Sequence, residues 1–281
     1  MNRAKMKRAP DRAMGKGMAE ERLSWKNAAA ASMGWMQTIV TLMAESFGDR
    51  YRRTRLAVFV AIAEPLGVIA IFSLVHSLAS AVPPYGSSDV LFFSTGILPF
   101  YLFFHISWRL RSWDWLRRMP RMTEFDLLCV HVLDEYLTKV IIIVLCGLGL
   151  WLWNVEEAIP SDPLLCLFAL LIIAAMGISV GLINAVISAF FFAWLYIYAI
   201  VIRGWLAFSG VLFVVDWMPI KLREIAEYNP LTHAIILYRV GYYGTFPSGS
   251  LDLQFLLVST GVMLALAVVL LLSTKRWRTQ R

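Results

Sequence analysis

Charge is what this sequence has least of. Aspartate, glutamate, lysine and arginine make up 16% of its 281 residues, against about 25% in a soluble domain. Cysteine is scarce as well: the three present, Cys129, Cys146 and Cys166, stand in or beside apolar stretches and form no CxxC or Cys/His cluster. That argues against a disulfide framework or a thiolate metal site, and the three read as small hydrophobes. The four histidines, His76, His105, His131 and His233, are scattered; they read as packed or interfacial polar residues rather than ligands. No GxxxxGK[ST] loop, GxSxG elbow, HExxH pair or obvious pair of catalytic carboxylates occurs. The chain is therefore expected to bind no ATP through a P-loop and to catalyse nothing by itself. The first fifty or so residues are too polar for a secretory signal peptide, and the apolar run that begins near Leu56 has no small-residue cleavage site. It is expected to stay as a first span.

What the sequence has in excess is apolar residues, 59% of the chain, gathered in blocks. A helix that crosses hydrocarbon needs roughly 20 of them in succession. Six stretches qualify, at 56–79, 91–110, 127–153, 164–188, 190–215 and 252–273. The fourth and fifth nearly merge, so the chain must turn back between them, and a turn is expected near Asn184–Phe191. The fold class expected is all-α integral membrane with six transmembrane helices.

The net charge of +7 sits beside the spans, which points to a membrane surface and not to nucleic acid. Residues 1–55 hold twelve Lys/Arg against five Asp/Glu. The loop 109–126 holds Arg109, Arg111, Arg117, Arg118 and Arg121, and the tail holds Lys275, Arg276, Arg278 and Arg281. Residues 80–90 and 154–163 carry no basic residue, and the latter carry Glu156, Glu157 and Asp162. The positive-inside rule places the first group, with both termini, in the cytoplasm and the second group outside.

Three segments are neither spans nor plain loops. Residues 1–30 are expected to be a disordered basic tail. Residues 32–49 place Trp35, Ile39, Leu42, Met43 and Phe47 at helical spacing, which fits an amphipathic helix at the inner membrane surface. Residues 216–251 contain Pro219, Asn229–Pro230 and a Gly/Pro/Ser-rich end, and are expected to form an outer re-entrant helical segment before the last span. Residues 31–275 form one transmembrane domain in this reading, followed by a cytoplasmic tail at 276–281.

Charges inside spans are costly, about 2.5–3.5 kcal/mol near a helix centre, and so mark candidate sites. Glu64, before Pro65, is either a polar hinge facing a path or a residue near the inner interface. Arg203 must pair, face water or snorkel, with Glu64 one candidate partner. Asp134, Glu135 and Lys139 open the third span, and Glu135 and Lys139 at i,i+4 spacing suit an intrahelical pair. Aromatic residues are abundant, with eleven Trp, ten Tyr and seventeen Phe. An interfacial belt accounts for most. Tyr196, Tyr198, Trp205, Tyr238, Tyr242 and Tyr243 are the better candidates for a path along which sugar rings slide on aromatic faces.

Taken in order, these features resemble a known family. A surface helix running into FGDRYRRTRLAVFVAIAEP is followed by GILPFYLFF (Gly96 to Phe104), then by the basic aromatic loop RLRSWDWLRRMPRMTEFD, and late in the chain by YNPLTHAIILYR (Tyr228 to Arg239) before one last span. The arrangement over about residues 36–275 resembles the membrane subunit of type-2 ABC exporters, most closely those that export capsular polysaccharide. The basic N-terminal extension, the apolar turn between spans four and five and the tryptophans of the first cytoplasmic loop depart from the family pattern. The resemblance implies a bacterial inner-membrane, multi-pass permease, two copies of which join two ATP-binding subunits that carry ATP and magnesium, with no cofactor on this chain. It implies that Trp113, Trp115, Arg117, Arg118 and Arg121 couple to the ATPase. Span one against span five of the second copy would line the path, bringing Glu64 and Arg203 to it. The cargo implied is a lipid-linked capsular polysaccharide, handed on to periplasmic and outer-membrane export proteins. O-antigen, teichoic acid or another lipid-like cargo is the alternative within the superfamily, and an integral membrane transferase the alternative outside it.

Overall fold

The computed structural model describes residues 34–44 apart from 38, residues 56–112 apart from 81, and residues 123–274. The basic tail 1–30, the coupling candidates at 113–121 and the tail 276–281 lie outside the described residues. The chain divides into two units, residues 1–52 and 53–281. In the first, residues 34–37 and 39–44 are helical (α1), with Ile39 and Leu42 buried and Met36 and Val40 exposed. Apolar side chains thus occupy more than one face of this helix.

Among the described residues the second unit is helical throughout, without strands. Its long helices are α2 (Leu56–Ala79), α3 (Asp89–Leu110), α4 (Glu124–Leu152), α5 (Pro163–Phe190) and α9 (Leu253–Ser273); α6 (Trp194–Phe208), α7 (Ile220–Glu227) and α8 (Pro230–Tyr243) are shorter. Among the described residues, five helices are long and apolar enough to cross a membrane. Their ends are written locally in the sequence. Thr123 and Asp126 form a capping box at α4. Asp162, Asn229 and Asp252 cap α5, α8 and α9 through the backbone N–H groups of Leu165, Leu231 and Phe255, and Pro163 and Pro230 start their helices where no N–H is needed. Gly244 ends α8 at φ 71°, a conformation that favours glycine.

Two expectations need correction. Helix α5 runs on to Phe190, and the break falls at residues 191–193 rather than across Asn184–Phe191. Residues 184–190 hold no proline, glycine or charge, so nothing stops the helix before Phe191. The stretch expected as span 190–215 is helical only over Trp194–Phe208, 15 residues. At 1.5 Å per residue that reaches about 22 Å, short of a hydrocarbon core of about 30 Å. Residues 209–214 continue it without helical structure.

The core is α3 packed on α5. Helix α3 is buried on all sides from Leu91 to Phe103, and α2, α4 and α9 turn broad apolar faces outward. Without water, apolar area drives no helix association in a bilayer; close packing and hydrogen bonds do. Gly177 and Gly181, one turn apart on α5, provide the close approach. A Cβ at Gly181 would lie 2.7 Å from Leu110 Cβ and 3.1 Å from the Ser107 backbone; one at Gly177 would lie 3.1 Å from the Phe103 carbonyl. Larger residues here would push α5 off α3.

The connections gather at two ends. At one, Ser87 donates to the Glu156 carbonyl (2.8 Å), Tyr85 donates to the Thr245 carbonyl (2.7 Å), and the N–H groups of Ser161 and Asp162 donate to the carbonyls of Tyr242 and Gly241. The Tyr85 ring also meets Trp217, Tyr243 and Phe246. Segments 80–88 and 154–162, read from charge as lying outside, and 215–250, expected to hold the outer re-entrant segment, therefore share one end. At the other, Ser188 Oγ donates to the Arg111 carbonyl (3.1 Å) and Trp194 Nε1 donates to Asn184 Oδ1 (2.8 Å).

Candidate functional site

Helices α3 and α4 are joined by the basic connection 111–123, and an ionic cluster lies just inside it. Arg109, in the last turn of α3, reaches across to α4 with Nη1 at 3.0 Å from Asp134 and 2.7 Å from Glu135. The Asp134 side chain is fully buried and that of Glu135 is 10% exposed. One turn back on α3, the His105 ring lies between two carboxylates, 3.6 Å from Glu135 and 3.6 Å from Glu64 on α2. Three helices are thus tied together at the end where the basic connection begins. Helix α4 also buries Lys139. Glu135, expected to serve its own helix, is engaged across helices by Arg109 and His105. The signal was in the sequence: an arginine at the end of one span and carboxylates about three turns into the next helix meet when a short connection makes the two antiparallel neighbours.

The same end holds α6 in place. Tyr198 donates to Ser107 Oγ (2.6 Å), and Ser107 donates to the Phe104 carbonyl. Trp108 stacks between Phe104 and Tyr198, and the Arg111 guanidinium lies 3.7 Å over the Trp108 ring. Tyr198 is 5% exposed; it fixes α6 to α3 rather than facing a path. The other residues expected on a path divide into two groups. Glu64, Tyr196, Arg203 and Trp205 stand exposed on α2 and α6. Tyr238 and Tyr242 are buried on α8, turned toward α4 and α5, with the Tyr242 hydroxyl donating to the Ala158 carbonyl (2.6 Å). Arg203 donates to the Ala199 carbonyl of its own helix (3.1 Å), and Glu64 faces His105, so the two do not pair within one chain.

Arg239 is a functional element that the motif YNPLTHAIILYR contained but did not reveal. It is 1% exposed. Its guanidinium donates to the carbonyls of Gly210 (2.8 Å), Val211 (2.7 Å), Phe92 (3.3 Å) and Phe213 (3.4 Å), and lies 4.1 Å over the Phe92 ring. Three of the four carbonyls belong to the non-helical stretch after α6. Backbone groups without water or helix partners cost several kcal/mol in a bilayer interior, and one arginine supplies their donors. Gly96 makes room: a Cβ there would lie 2.6 Å from both the Val211 carbonyl and Arg239 Nη2.

Beside α7 a polar cavity of about 490 Å³ is lined by Arg223, Glu227, His233, Ser250, Asp252 and their neighbours. Asp216 accepts from the Gly249 N–H and the Ser250 hydroxyl, and Arg223 donates to Glu227 (2.8 Å), which holds that carboxyl below its ordinary range. The Asp252 N–H donates to His233 Nδ1, so Nε2 carries the proton and donates to the Glu227 carbonyl. These bonds lock the segment between α6 and α9.

No curated protein matches the chain. Residues 37–243, well over half of it, match the family described as ABC-2 type transporter. The chain belongs to the ABC-2 type transporter membrane family, as a multi-pass transmembrane permease subunit that works with an ATP-binding partner.

Proposed function

We propose that two copies of this chain, with two ATP-binding subunits, export a lipid-linked capsular polysaccharide across a bacterial inner membrane. In this reading the chain makes six crossings with both termini cytoplasmic. The fifth is built from α6 and residues 209–217. Its start is bonded to Asn184, at the end where Ser188 meets Arg111, and Trp217 reaches Tyr85 at the opposite end. Arg239 satisfies the carbonyls on the way.

The observation that carries the mechanism is the ionic cluster behind the basic connection. A groove in the ATPase would receive Trp113 and Trp115, with Arg117, Arg118 and Arg121 on its rim. Movement of that connection would act first on the ends of α3 and α4. Arg109, Glu135 and His105 tie those ends to Glu64 on α2. Glu64, Tyr196, Arg203 and Trp205, exposed on α2 and α6, would face the second copy across the path, which ATP binding and hydrolysis open and close by shifting the population of two arrangements. Aromatic faces offer a sugar polymer contact without fixed hydrogen bonds, and Glu64 and Arg203 add a charge of each sign.

Reversing charge at Arg117 and Arg118 together, as Arg117→Glu with Arg118→Glu, is expected to abolish co-purification of the ATP-binding subunit while membrane insertion and yield stay unchanged. Undiminished co-purification would rule out the coupling role.

A further inference from the structure

Helices α2 and α6 each carry one residue from the set Asp, Glu, Lys and Arg: Glu64 on the first and Arg203 on the second. Both are exposed. His105 faces only one carboxylate oxygen of Glu64, Oε2, and the Glu64 side chain remains 45% exposed. Arg203 gives Nη1 to the Ala199 carbonyl, and a guanidinium carries five N–H donors in all. Each charge stands in an outward stripe at helical spacing. On α2 the stripe is Val60, Glu64, Gly67 and Ile71, and on α6 it is Tyr196, Ile200, Arg203 and Gly204, all exposed. A Cβ at Gly67 or Gly204 would meet nothing within 4 Å, and small residues at such places let helix backbones of a bilayer approach closely.

The two charges stand at one depth. Glu64 lies eight residues past the start of α2 and Arg203 nine past the start of α6, about 12 and 14 Å in. That is too deep for a lipid headgroup, and hydrocarbon satisfies neither charge. Helix α3 gives the same level independently. Glu64 meets it at His105. Tyr198 meets it at Ser107, and the Arg203 guanidinium turns back to the carbonyl of the next residue, Ala199. His105 and Ser107 are two residues apart, about 3 Å along the axis. A two-fold axis along the membrane normal leaves depth unchanged, so it brings Glu64 of one copy level with the partner's Arg203. Because a two-fold interface is self-complementary, one rotation sets both opposite-charge pairs at once.

We propose that Glu64 of each copy pairs with the partner's Arg203, and that the two symmetric ion pairs are a latch holding the export path closed until the polymer parts them. This rests on the two-copy reading above, with α2 of one copy against α6 of the other. His105 is then a positioning residue: it holds one oxygen of Glu64 and turns the other outward.

Two differently tagged forms of the full chain, one with Glu64→Cys and the other with Arg203→Cys, test the contact. Both also carry Cys129→Ala, Cys146→Ala and Cys166→Ala, and they are co-expressed with the ATP-binding subunit. Mild oxidation of the membranes without nucleotide is expected to give a disulfide-linked product bearing both tags, at least tenfold above the dimer formed by either variant alone. Charge is tested in liposomes holding the complex. Glu64→Arg or Arg203→Glu alone sets like charges face to face and is expected to raise leak of carboxyfluorescein without ATP about tenfold. The double exchange in one chain is expected to remove most of that leak. A two-tag product no stronger than the controls, single reversals as tight as the wild type, or a double exchange that leaks like the single ones would overturn the latch. Tagged chains that co-purify without cross-linking would strike the latch and leave the two-copy reading standing, whereas chains that do not co-purify would strike both.

Discussion

Arg239→Ala is expected to leave no stably folded protein after extraction from the membrane. The substitution removes the donor of three carbonyls at once, those of Gly210, Val211 and Phe213, and each stranded polar group costs about 1–3 kcal/mol. Losses beyond about 4 kcal/mol are exceptional for a single change and come from failures of this kind. It also leaves a hole beside Phe92 and Phe246, whose rings the guanidinium covers. Arg239→Lys should recover only part of the loss. An ammonium keeps the charge but not the planar fork that reaches Gly210, Val211 and Phe92 together. Thermal unfolding followed by size-exclusion profile gives the order wild type, Lys, Ala. An unchanged midpoint in Arg239→Ala would show that the stretch after α6 holds without its cap.

The second large effect is expected at Arg109. Its side chain is 18% exposed and faces two carboxylates, one of them fully buried. Removing one partner of a buried ionic group costs about 3–5 kcal/mol. Arg109→Ala should fall at the lower end of that range, since His105 still faces Glu135. The triple change Arg109→Ala, Asp134→Asn, Glu135→Gln should recover much of the stability, because it removes the charges along with their partner. Recovery of stability need not restore transport. If the cluster carries motion from the basic connection to α2, the triple variant folds, binds the ATPase and hydrolyses ATP with little export. A triple variant as unstable as Arg109→Ala would contradict the electrostatic account.

The five long apolar helices were legible because they rest on composition alone. Leu56–Ala79 is bounded by arginines on one side and Pro83–Pro84 on the other, and lipid-facing helices carry this signal most clearly. The break between α5 and α6 was not legible. Both sides are apolar, and its place is set by Trp194 bonding Asn184, a contact between residues whose apolar surroundings look alike in sequence. The short α6 was hidden for the same reason. Residues 209–214 are as hydrophobic as a helix, and only Arg239, 25 or more positions away, makes their irregular backbone tolerable. Gly177 and Gly181 needed the partner helix before their role could be seen.

Glu64 and Arg203 were singled out by the cost of charge in a span; in the structure Glu64 faces His105 and Arg203 donates to the α6 backbone. The tyrosines were chosen by type, and type does not say which way a side chain points. Tyr196 is exposed, Tyr198 pins α6 to α3, and Tyr238 and Tyr242 are buried between α4, α5 and α8.

The most direct measurement is transport itself. The chain and its ATP-binding partner, reconstituted together in liposomes with lipid-linked polysaccharide on the nucleotide face, should move the polymer to the opposite face only when ATP and magnesium are supplied. A complex that hydrolyses ATP yet leaves the polysaccharide where it began would contradict the proposed function.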